Sequence, residues 1–287
     1  MKILVTGSTG FIGSRLINKL KKKRYKFSNL TKNKNKNKLK AYSNILINKS
    51  IVSSKKKILN FDASAVIHLA TNFQKKQSFN LIPQIINDNI LFGSLLLEIL
   101  NKKKLKLFIN INTTHTSVNG NTYDPKDFYS ASKKSYENIL FWYSKKYNFK
   151  VINLHLSDTY GEKDKRDKIL DLLLKSAKKN LNLTINHPNQ EINYTHVDDV
   201  CDGIISLLKN KSKKIWIDCH LFSKETLTLI KLKEKIEKVL NKKTKIRFNN
   251  INEKSTDLRF KPKYRLIKNW IQKITLKDGI LKVYKYL

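Results

Sequence analysis

The stretch KILVTGSTGFIG, residues 2–13, decides the fold of this chain. The apolar run over residues 2–6 predicts a buried strand, and helical spacing begins at about Ser14. Gly7, Gly10 and Gly13 lie directly between these two elements. Glycine permits a tight turn, lets the backbone approach a phosphate and allows a helix to pack closely on a strand. The stretch therefore predicts a dinucleotide-binding strand, turn and helix, with a plain tight turn as the alternative.

Strands and helices alternate through the first half of the chain. Further strands are predicted at about 25–30, 65–69, 105–111 and 151–156, and long helices at about 82–100 and 129–146. No hairpin signal separates them, so the strands are expected to pair in parallel through right-handed crossovers. The fold class predicted is α/β, a Rossmann-like doubly wound parallel sheet. The Lys/Asn alternation over 31–38 has no apolar period and predicts an exposed loop or a frayed segment.

From about residue 160 this alternation loosens. Predicted helices cover about 168–179, 199–208, 224–240, 266–273 and 276–286, and short strands cover 183–185 and 194–197. We therefore expect a dinucleotide-binding domain over 1–165 and a smaller, mostly helical substrate-binding region over 166–287. Residues of about 194–210 are expected to return to the first domain.

Composition excludes several classes of protein. The 287 residues have a hydrophobic share of 40% and a net charge of +37, carried by 53 Lys and only 6 Arg. The lysines are spread along the chain and Arg is the favoured base-reading residue, so a nucleic-acid-binding protein is only the third alternative. No apolar run approaches the roughly 18 residues of a membrane span. Two cysteines, scattered histidines and no C-x-x-C pattern predict a cytoplasmic protein without a metal site.

With Thr6 in front, the G-x-x-G-x-x-G spacing resembles the signature of the extended short-chain dehydrogenases/reductases, the nucleotide-sugar epimerase/dehydratase family. Other stretches resemble motifs of the same family, in the same order along the chain. They are FDASAVIHLAT (61–71, the "DxVIHLA" strand), NILFGS (89–94, the N-x-x-G-[ST] helix start), LSDTYG (156–161, the "NxYG" turn) and HVDDV (196–200). The resemblance therefore extends over most of the chain.

The catalytic Tyr-x-x-x-Lys pair of the family is matched by Tyr129 and Lys133. Tyr264 and Lys268 also fit the pattern, but only Tyr129 opens a helix one element after the strand at 105–111. Residues four apart share one helix face, so an ammonium near the phenol lowers its pKa. The resemblance implies that Tyr129 is the acid/base and that Lys133 tunes it. A helix-start aromatic packed on the sheet is the alternative for Tyr129.

The resemblance places the third catalytic residue, a hydroxyl that holds the sugar oxygen, at Thr113. A slip of one residue would place Thr114 there. The 4,6-dehydratases of the family follow this hydroxyl with an Asp-Glu pair, whereas this chain has Thr114 and His115, so dehydration is not expected. His115 is either an additional acid or a loop histidine. Thr114, His115 and Asp158, which replaces the Asn of the "NxYG" turn, are the predicted substrate-binding residues.

The second strand decides the expected coenzyme. An acidic residue at its end bonds the ribose of NAD, and a cation accommodates the 2′-phosphate of NADP. The segment FSNLTK, residues 27–32, has no acidic residue and ends in Lys32, which favours NADP over NAD. The predicted cofactor-binding residues are Gly7, Thr9, Gly10, Phe11, Ile12, Gly13, Lys32, Leu69, Ala70 and Thr71.

Within the family, the chain looks most similar to CDP-abequose/CDP-paratose synthase-type reductases. The resemblance implies an NAD(P)-dependent oxidoreductase that reduces a 4-keto group at C4 of a nucleoside-diphosphate sugar, in surface-polysaccharide sugar biosynthesis. A 4-epimerase with retained NAD and a non-catalytic NAD(P)-binding protein of the same fold are the alternatives. The family's Arg before "VDDV" falls on Ile192, which leaves lysines as substitute cations. A homodimer through the helices at 82–100 and 129–146 is also implied, although core packing explains their apolar residues equally well.

Overall fold

Seven parallel strands form the central sheet of the computed structural model, which describes residues 1–32, 43–47, 50–74, 78–249 and 259–287. The strands of the described residues are β1 (Lys2–Thr6), β2 (Lys26–Thr31), β3 (Ser43–Leu46), β4 (Ala65–His68), β5 (Leu107–Thr113), β6 (Lys150–Leu156), β7 (Asp158–Tyr160), β8 (Leu183–Asn186), β9 (Glu191–His196), β10 (Trp216–Leu221), β11 (Thr226–Thr228) and β12 (Ile246–Asn249). The sheet order is β10-β6-β5-β4-β1-β2-β3, so the first strand lies near the middle. The predicted doubly wound sheet is confirmed.

Helices cover both faces of this sheet. The α-helices are α1 (Phe11–Lys22), α2 (Lys55–Phe61), α3 (Ile82–Ile86), α4 (Phe92–Ile99), α5 (Phe128–Tyr147), α6 (Ile169–Lys179), α7 (Val197–Leu207), α8 (Leu229–Leu240) and α9 (Leu276–Tyr286). Apolar residues of α1 and α7 pack on one face, and those of α2, α4 and α5 pack on the other. The strands are buried on both faces and therefore read as continuous apolar runs. None of the described helices is long and apolar enough to cross a membrane.

The later part of the chain has a core of its own. There α6, α8 and α9 pack around β9, and their buried residues include Leu174, Leu232 and Ile280. Two small sheets, β11-β9-β7 and β12-β8, complete this part. The helix α7 leaves it and packs through Val200 and Ile204 against the face of the central sheet that α1 also covers. The domain boundary at about residue 165 stays a prediction.

The long helix predicted at 82–100 contains a wider turn. Residues Asn87–Leu91, between α3 and α4, form a π turn. The family pattern has two residues between its Asn and its Gly, whereas this chain has three between Asn89 and Gly93. The wider turn takes up the additional residue. Both residues still face α5: Asn89 bonds Ser132, and a Cβ on Gly93 would lie 2.5 Å from the Tyr136 ring.

The helix predicted at 266–273 is absent, and a single β-bridge at Leu266 followed by a turn takes its place. The Ile267 N–H donates to the His220 carbonyl at 3.0 Å, and the His220 N–H donates to the Arg265 carbonyl at 2.8 Å. The Trp270 ring N–H then donates to the Asp199 carbonyl at 3.0 Å. These contacts with β10 and α7 outweigh the local helical spacing, because hydrogen bonds to an existing sheet edge satisfy the same backbone groups.

Further elements differ from the prediction, and among them are strands that contain polar residues. The chain forms β3, α2, β10 and β12, none of which was predicted, and β11 replaces the start of the helix predicted at 224–240. The strand β10 contains Asp218 and His220, so it does not have an apolar run. It nevertheless pairs with β6, whose polar residue Asn153 donates to Asp218 at 2.9 Å. Most of the loop predicted at 31–38 lies outside the described residues.

We predict that Gly7→Ala destabilises the protein. Gly7 has a φ of +68°, and an added Cβ would lie 2.6 Å from the Ala70 nitrogen. The positive φ alone costs about 1–3 kcal/mol for a non-glycine residue, and the close backbone contact adds to it. Urea unfolding without added coenzyme measures the loss.

Gly10→Ala is the matched control, since Gly10 has a φ of −74°. Its added Cβ would meet only the Gly7 carbonyl oxygen, at 3.3 Å. Equal losses in the two variants would contradict the assignment of the strain to Gly7.

Candidate active site

A cavity of about 1380 Å³ opens at the carboxyl ends of β1, β4 and β5 and extends to β8 and α6. Pockets for a single small ligand are about 300–1,000 Å³, so this cavity has room for two ligands side by side. Every predicted site residue except Lys133 contributes to its lining. The structure thus brings together Gly7, Thr9, Gly10, Phe11, Ile12, Gly13, Lys32, Leu69, Ala70, Thr71, Thr113, Thr114, His115, Tyr129 and Asp158.

The glycine loop presents free hydrogen-bond donors to this cavity. The Gly10 N–H bonds the Gly7 carbonyl at 3.1 Å and turns the chain into α1. No described side chain caps α1, and its first turn has no acidic residue. An uncapped helix start favours an anion through its N–H groups and its dipole. The buried Ser8 hydroxyl also has no partner among the described residues. These features fit the pyrophosphate of a dinucleotide.

The end of β4 is tied to the end of β1. The Ala70 N–H donates to the Thr6 hydroxyl at 3.1 Å, and the Leu69 N–H donates to the Thr6 carbonyl at 3.2 Å. Gly7 packs on the backbone of the same two residues. The predicted cofactor residues Leu69 and Ala70 therefore border the glycine loop directly.

A buried asparagine fixes the segment after β4. The Asn89 side-chain oxygen accepts from the Asn72 N–H at 2.7 Å and from the Thr71 hydroxyl at 3.1 Å. Its amide nitrogen donates to the Asn72 carbonyl at 3.1 Å and to the Ser132 hydroxyl at 2.9 Å. All four hydrogen-bonding positions of the amide are used. Asn89 thereby connects the loop after β4 to the helix α5, which carries Tyr129 and Lys133.

Tyr129 lies in the first turn of α5, which Asp127 caps by accepting the Ser130 N–H at 2.7 Å. Its ring packs edge-on against Phe73, with 5.2 Å between ring centroids. Its hydroxyl lies within hydrogen-bonding reach of Thr71, and burial raises the pKa of Tyr129. The lowering expected from Lys133 is not seen: removal of the phenolate from water is the larger effect, and the opposing effects come from Thr71 and Arg166.

Lys133 lies below the cavity surface and is only 2% exposed. Burial lowers the pKa of Lys133 to about 8, although the Glu137 carboxylate opposes this shift. Glu137 itself is held by Lys134, at 2.6 Å, and by the Asn112 amide, at 3.0 Å. Burial, together with the charge of Lys133, lowers the pKa of His68 to about 3. The site thus holds a buried ammonium beside a neutral histidine.

Thr113 and Thr114 both face the cavity, and the choice between them as catalytic hydroxyl stays open. Thr113 is the last residue of β5, and its hydroxyl accepts the His115 N–H at 3.2 Å. Thr114 begins the short 3₁₀ turn Thr114–Thr116. The Thr113 carbonyl accepts the Thr116 hydroxyl at 2.9 Å, which holds this turn in place.

The predicted substrate residues lie among cations. The Asp158 carboxylate pairs with the Lys168 ammonium at 2.8 Å. The Lys168 charge holds the pKa of Asp158 well below its usual range against the effect of burial. Burial lowers the pKa of His115, so this histidine is neutral at neutral pH. Asp158 is therefore an ionised group whose charge Lys168 already balances.

Several charged residues of the cavity were missed in the sequence, and two of them, Arg166 and Asp88, form ion pairs in its lining. Arg166 stacks on the Phe11 ring, with 4.7 Å to the centroid, and donates to the Thr159 carbonyl at 2.9 Å. It also grips the Asp164 carboxylate with two nitrogens, at 2.8 and 2.6 Å. The other of these two residues, Asp88, lies 2.9 Å from the Lys32 ammonium. The scarcity of Arg and of acidic residues in this chain was the signal that could have found them.

Most of the chain matches a known family. Residues 3–217 match the model of the NAD dependent epimerase/dehydratase family. The chain belongs to this family. It is similar to the CDP-abequose synthase of Salmonella muenchen, with 26% identity over 253 residues, which cover 87% of this chain and 84% of that protein. The family expected from the sequence is confirmed.

Solved structures of the family share the fold. The UDP-glucuronic acid 4-epimerase from Bacillus cereus in complex with NAD has a TM-score of 0.81 and 24% identity, over 100% of this chain and 96% of that one. The UDP-glucose 4-epimerase of Thermus thermophilus in complex with NAD has a TM-score of 0.79 and 18% identity, over 100% of this chain and 98% of that one. At this identity the likeness establishes the Rossmann-like architecture.

We predict that the buried Lys133 makes stability depend on pH. Below pH 8 this lysine is charged in both the folded and the unfolded chain. Between pH 8 and about 10 it loses its proton only when folded, because its pKa is about 8 in the fold and about 10.4 in an unfolded chain. The unfolded state then binds more protons, so stability rises with pH.

Lys133→Met removes this contribution while it keeps a long side chain. The free energy of unfolding of the wild type, minus that of the variant, should increase from pH 8 to pH 10 in urea titrations. A difference that is independent of pH would contradict a buried, charged Lys133. Because the other lysines titrate in both proteins, their contribution cancels.

Proposed function

We propose that this protein is an NAD(P)-dependent oxidoreductase that reduces a 4-keto group at C4 of a nucleoside-diphosphate sugar. The observation that carries the proposal is the position of Tyr129. It faces the same cavity as the uncapped start of α1 and as Thr113 and Thr114. Similarity to CDP-abequose synthases over most of the chain supports a reductase of this class.

The nicotinamide coenzyme would supply the hydride that such a reduction needs. The residues that would hold it are those of the glycine loop, with Leu69 and Ala70 beside them. Tyr129 donates a proton to the sugar oxygen, since its phenol is protonated at neutral pH. Lys133 lies one helical turn further along the same face of α5 and places a positive charge beneath the phenol. Thr113 or Thr114 orients the sugar oxygen.

The same cavity suits the nucleoside diphosphate. Its lining includes Lys126, Lys163, Lys165 and Arg166, whose charges favour two phosphates. Ile192, which replaces the usual cation of the family, is buried in the core around β9. These basic residues therefore take the place of that missing Arg, although Arg166 already directs two of its nitrogens to the Asp164 carboxylate.

An assay of purified protein with a panel of nucleoside-diphosphate 4-keto sugars tests the proposal. Loss of the near-ultraviolet absorbance of NADH or NADPH reports the reduction. Tyr129→Phe should lower kcat by about 10²–10⁴-fold, because the proton donor is lost while the ring remains. Tyr264→Phe is the matched control, since Tyr264 belongs to the second Tyr-x-x-x-Lys pattern and does not line the cavity. Turnover that Tyr129→Phe leaves unchanged would overturn the mechanism.

A 4-epimerase is the second candidate, because the solved neighbours named above are 4-epimerases in complexes with NAD. It would interconvert two sugar nucleotides without net consumption of coenzyme and would release NAD only on denaturation. If the protein binds coenzyme but neither reaction occurs with any sugar nucleotide, the non-catalytic alternative is favoured.

We further propose a cytoplasmic homodimer that acts in surface-polysaccharide sugar biosynthesis. In the two helices implied for the dimer, the apolar residues Leu96 and Leu140 are fully buried in the core of the chain itself. Phe141 and Trp142 of α5 are instead about half exposed. These two aromatic residues are therefore the better candidates for a contact between subunits.

A further inference from the structure

The end of β2 carries a positive charge that is already paired. Lys32 follows this strand directly, and its ammonium lies 2.9 Å from a carboxylate oxygen of Asp88. No acidic residue occurs between Phe27 and Lys32. The ribose of a bound dinucleotide lies at the end of the second strand in folds of this type, where an acidic residue selects NAD. Here the carboxylate comes from another element.

Asp88 belongs to the π turn between α3 and α4. Its second carboxylate oxygen accepts the Asn72 amide N–H at 3.0 Å. Lys32 and Asn72 follow β2 and β4, the two strands that flank β1. Bonds to both of them place Asp88 across the carboxyl end of β1, beside the glycine loop. Asp88 also lines the cavity, together with Leu30, Thr31 and Ile47 from the ends of β2 and β3.

We propose that Asp88 supplies, from the helix, the carboxylate that β2 lacks, and that it makes this chain prefer NAD to NADP. This inference rests on the proposed use of a nicotinamide coenzyme. A ribose 2′-hydroxyl can donate to Asp88, whereas a 2′-phosphate with about two negative charges meets that carboxylate and is repelled. Lys32 cannot compensate for the repulsion, because Asp88 already balances its charge.

The Lys32–Asp88 ion pair is partly exposed, and this exposure decides whether it affects coenzyme choice or the stability of the fold. The Lys32 side chain is 66% exposed, and an ion pair of this kind adds little to the stability of the fold. Its effect is therefore expected on the choice between two ligands that differ by one phosphate, and not on folding. The π turn contributes by holding Asp88 next to Asn89, which is buried and fully hydrogen-bonded.

Binding of NADH and NADPH, measured by titration calorimetry without any sugar nucleotide, tests the proposal. The wild type should bind NADH more tightly than NADPH. Asp88→Asn keeps the shape of the side chain and removes its charge, so it should shift the ratio of the two dissociation constants toward NADPH by about tenfold or more. Asp202→Asn is the matched control: Asp202 also pairs with lysines, Lys19 and Lys273, but lies outside the cavity lining.

A second substitution tests whether Lys32 carries the gain in NADPH affinity. If Asp88→Asn releases Lys32 for the 2′-phosphate, adding Lys32→Gln should remove that gain. Lys102→Gln is the control for this change, since Lys102 pairs with Glu98 away from the cavity. The circular dichroism of each variant verifies that it is folded.

Two results would overturn the proposal while the proposed function stands. They are a wild type that prefers NADPH, and an Asp88→Asn variant whose ratio of dissociation constants changes no more than that of Asp202→Asn. Absence of binding for both coenzymes would overturn this inference together with the proposed function. A preference for NADH that Asp88→Asn weakens, without turnover of any sugar nucleotide, would support Asp88 as the selector and contradict only the reductase.

Discussion

The backbone of Gly7 packs on the peptide between Leu69 and Ala70 at a distance that excludes any side chain. This contact joins the ends of β1 and β4. The hydrogen bond from the Ala70 N–H to the Thr6 hydroxyl fixes the position of one strand end relative to the other. The loop must then turn sharply into α1, so the free N–H groups of the helix open beside the end of β4. Since Thr71 comes one residue later, the position of Tyr129 against Thr71 depends on the same contact.

Asn89 extends this constraint to the catalytic helix. A buried amide with all four positions used is costly to disturb, because any lost partner leaves an unsatisfied polar group. Its bonds to Thr71, Asn72 and Ser132 hold the loop after β4 and the start of α5 as one unit. The glycine loop and Tyr129 come from elements far apart in the chain, and Asn89 is a polar link between them. The π turn keeps this residue in place despite the additional residue in the helix.

Acidic residues are scarce in this chain, with 22 against 59 basic ones, so their positions are informative. Several of them line the cavity and balance a neighbouring cation: Asp158 with Lys168, Asp164 with Arg166, and Asp88 with Lys32. In each pair the carboxylate fixes the orientation of the cation, which an unpaired lysine side chain would lack. The chain as a whole therefore has a large positive charge, whereas in the cavity a neighbouring carboxylate holds each of these three cations in position.

The sequence by itself determined five of the seven strands of the sheet and a set of site residues that, apart from Lys133, all line the cavity. Strong apolar runs, glycines at a strand-helix junction and a helix opening at Tyr129 are local signals, and parallel strands bring such junctions to one edge of the sheet. The strand β10 and the segment from Leu266 to Trp270 could not be found this way, because neighbouring strands and Asp199 stabilise them, and not their own spacing. Only the tertiary structure decided that Lys133 is buried, that burial raises the pKa of Tyr129, and that Lys32 is paired. Desolvation and ion pairing depend on which groups from distant parts of the chain come into contact. The order of residues along the sequence does not contain the distances between them.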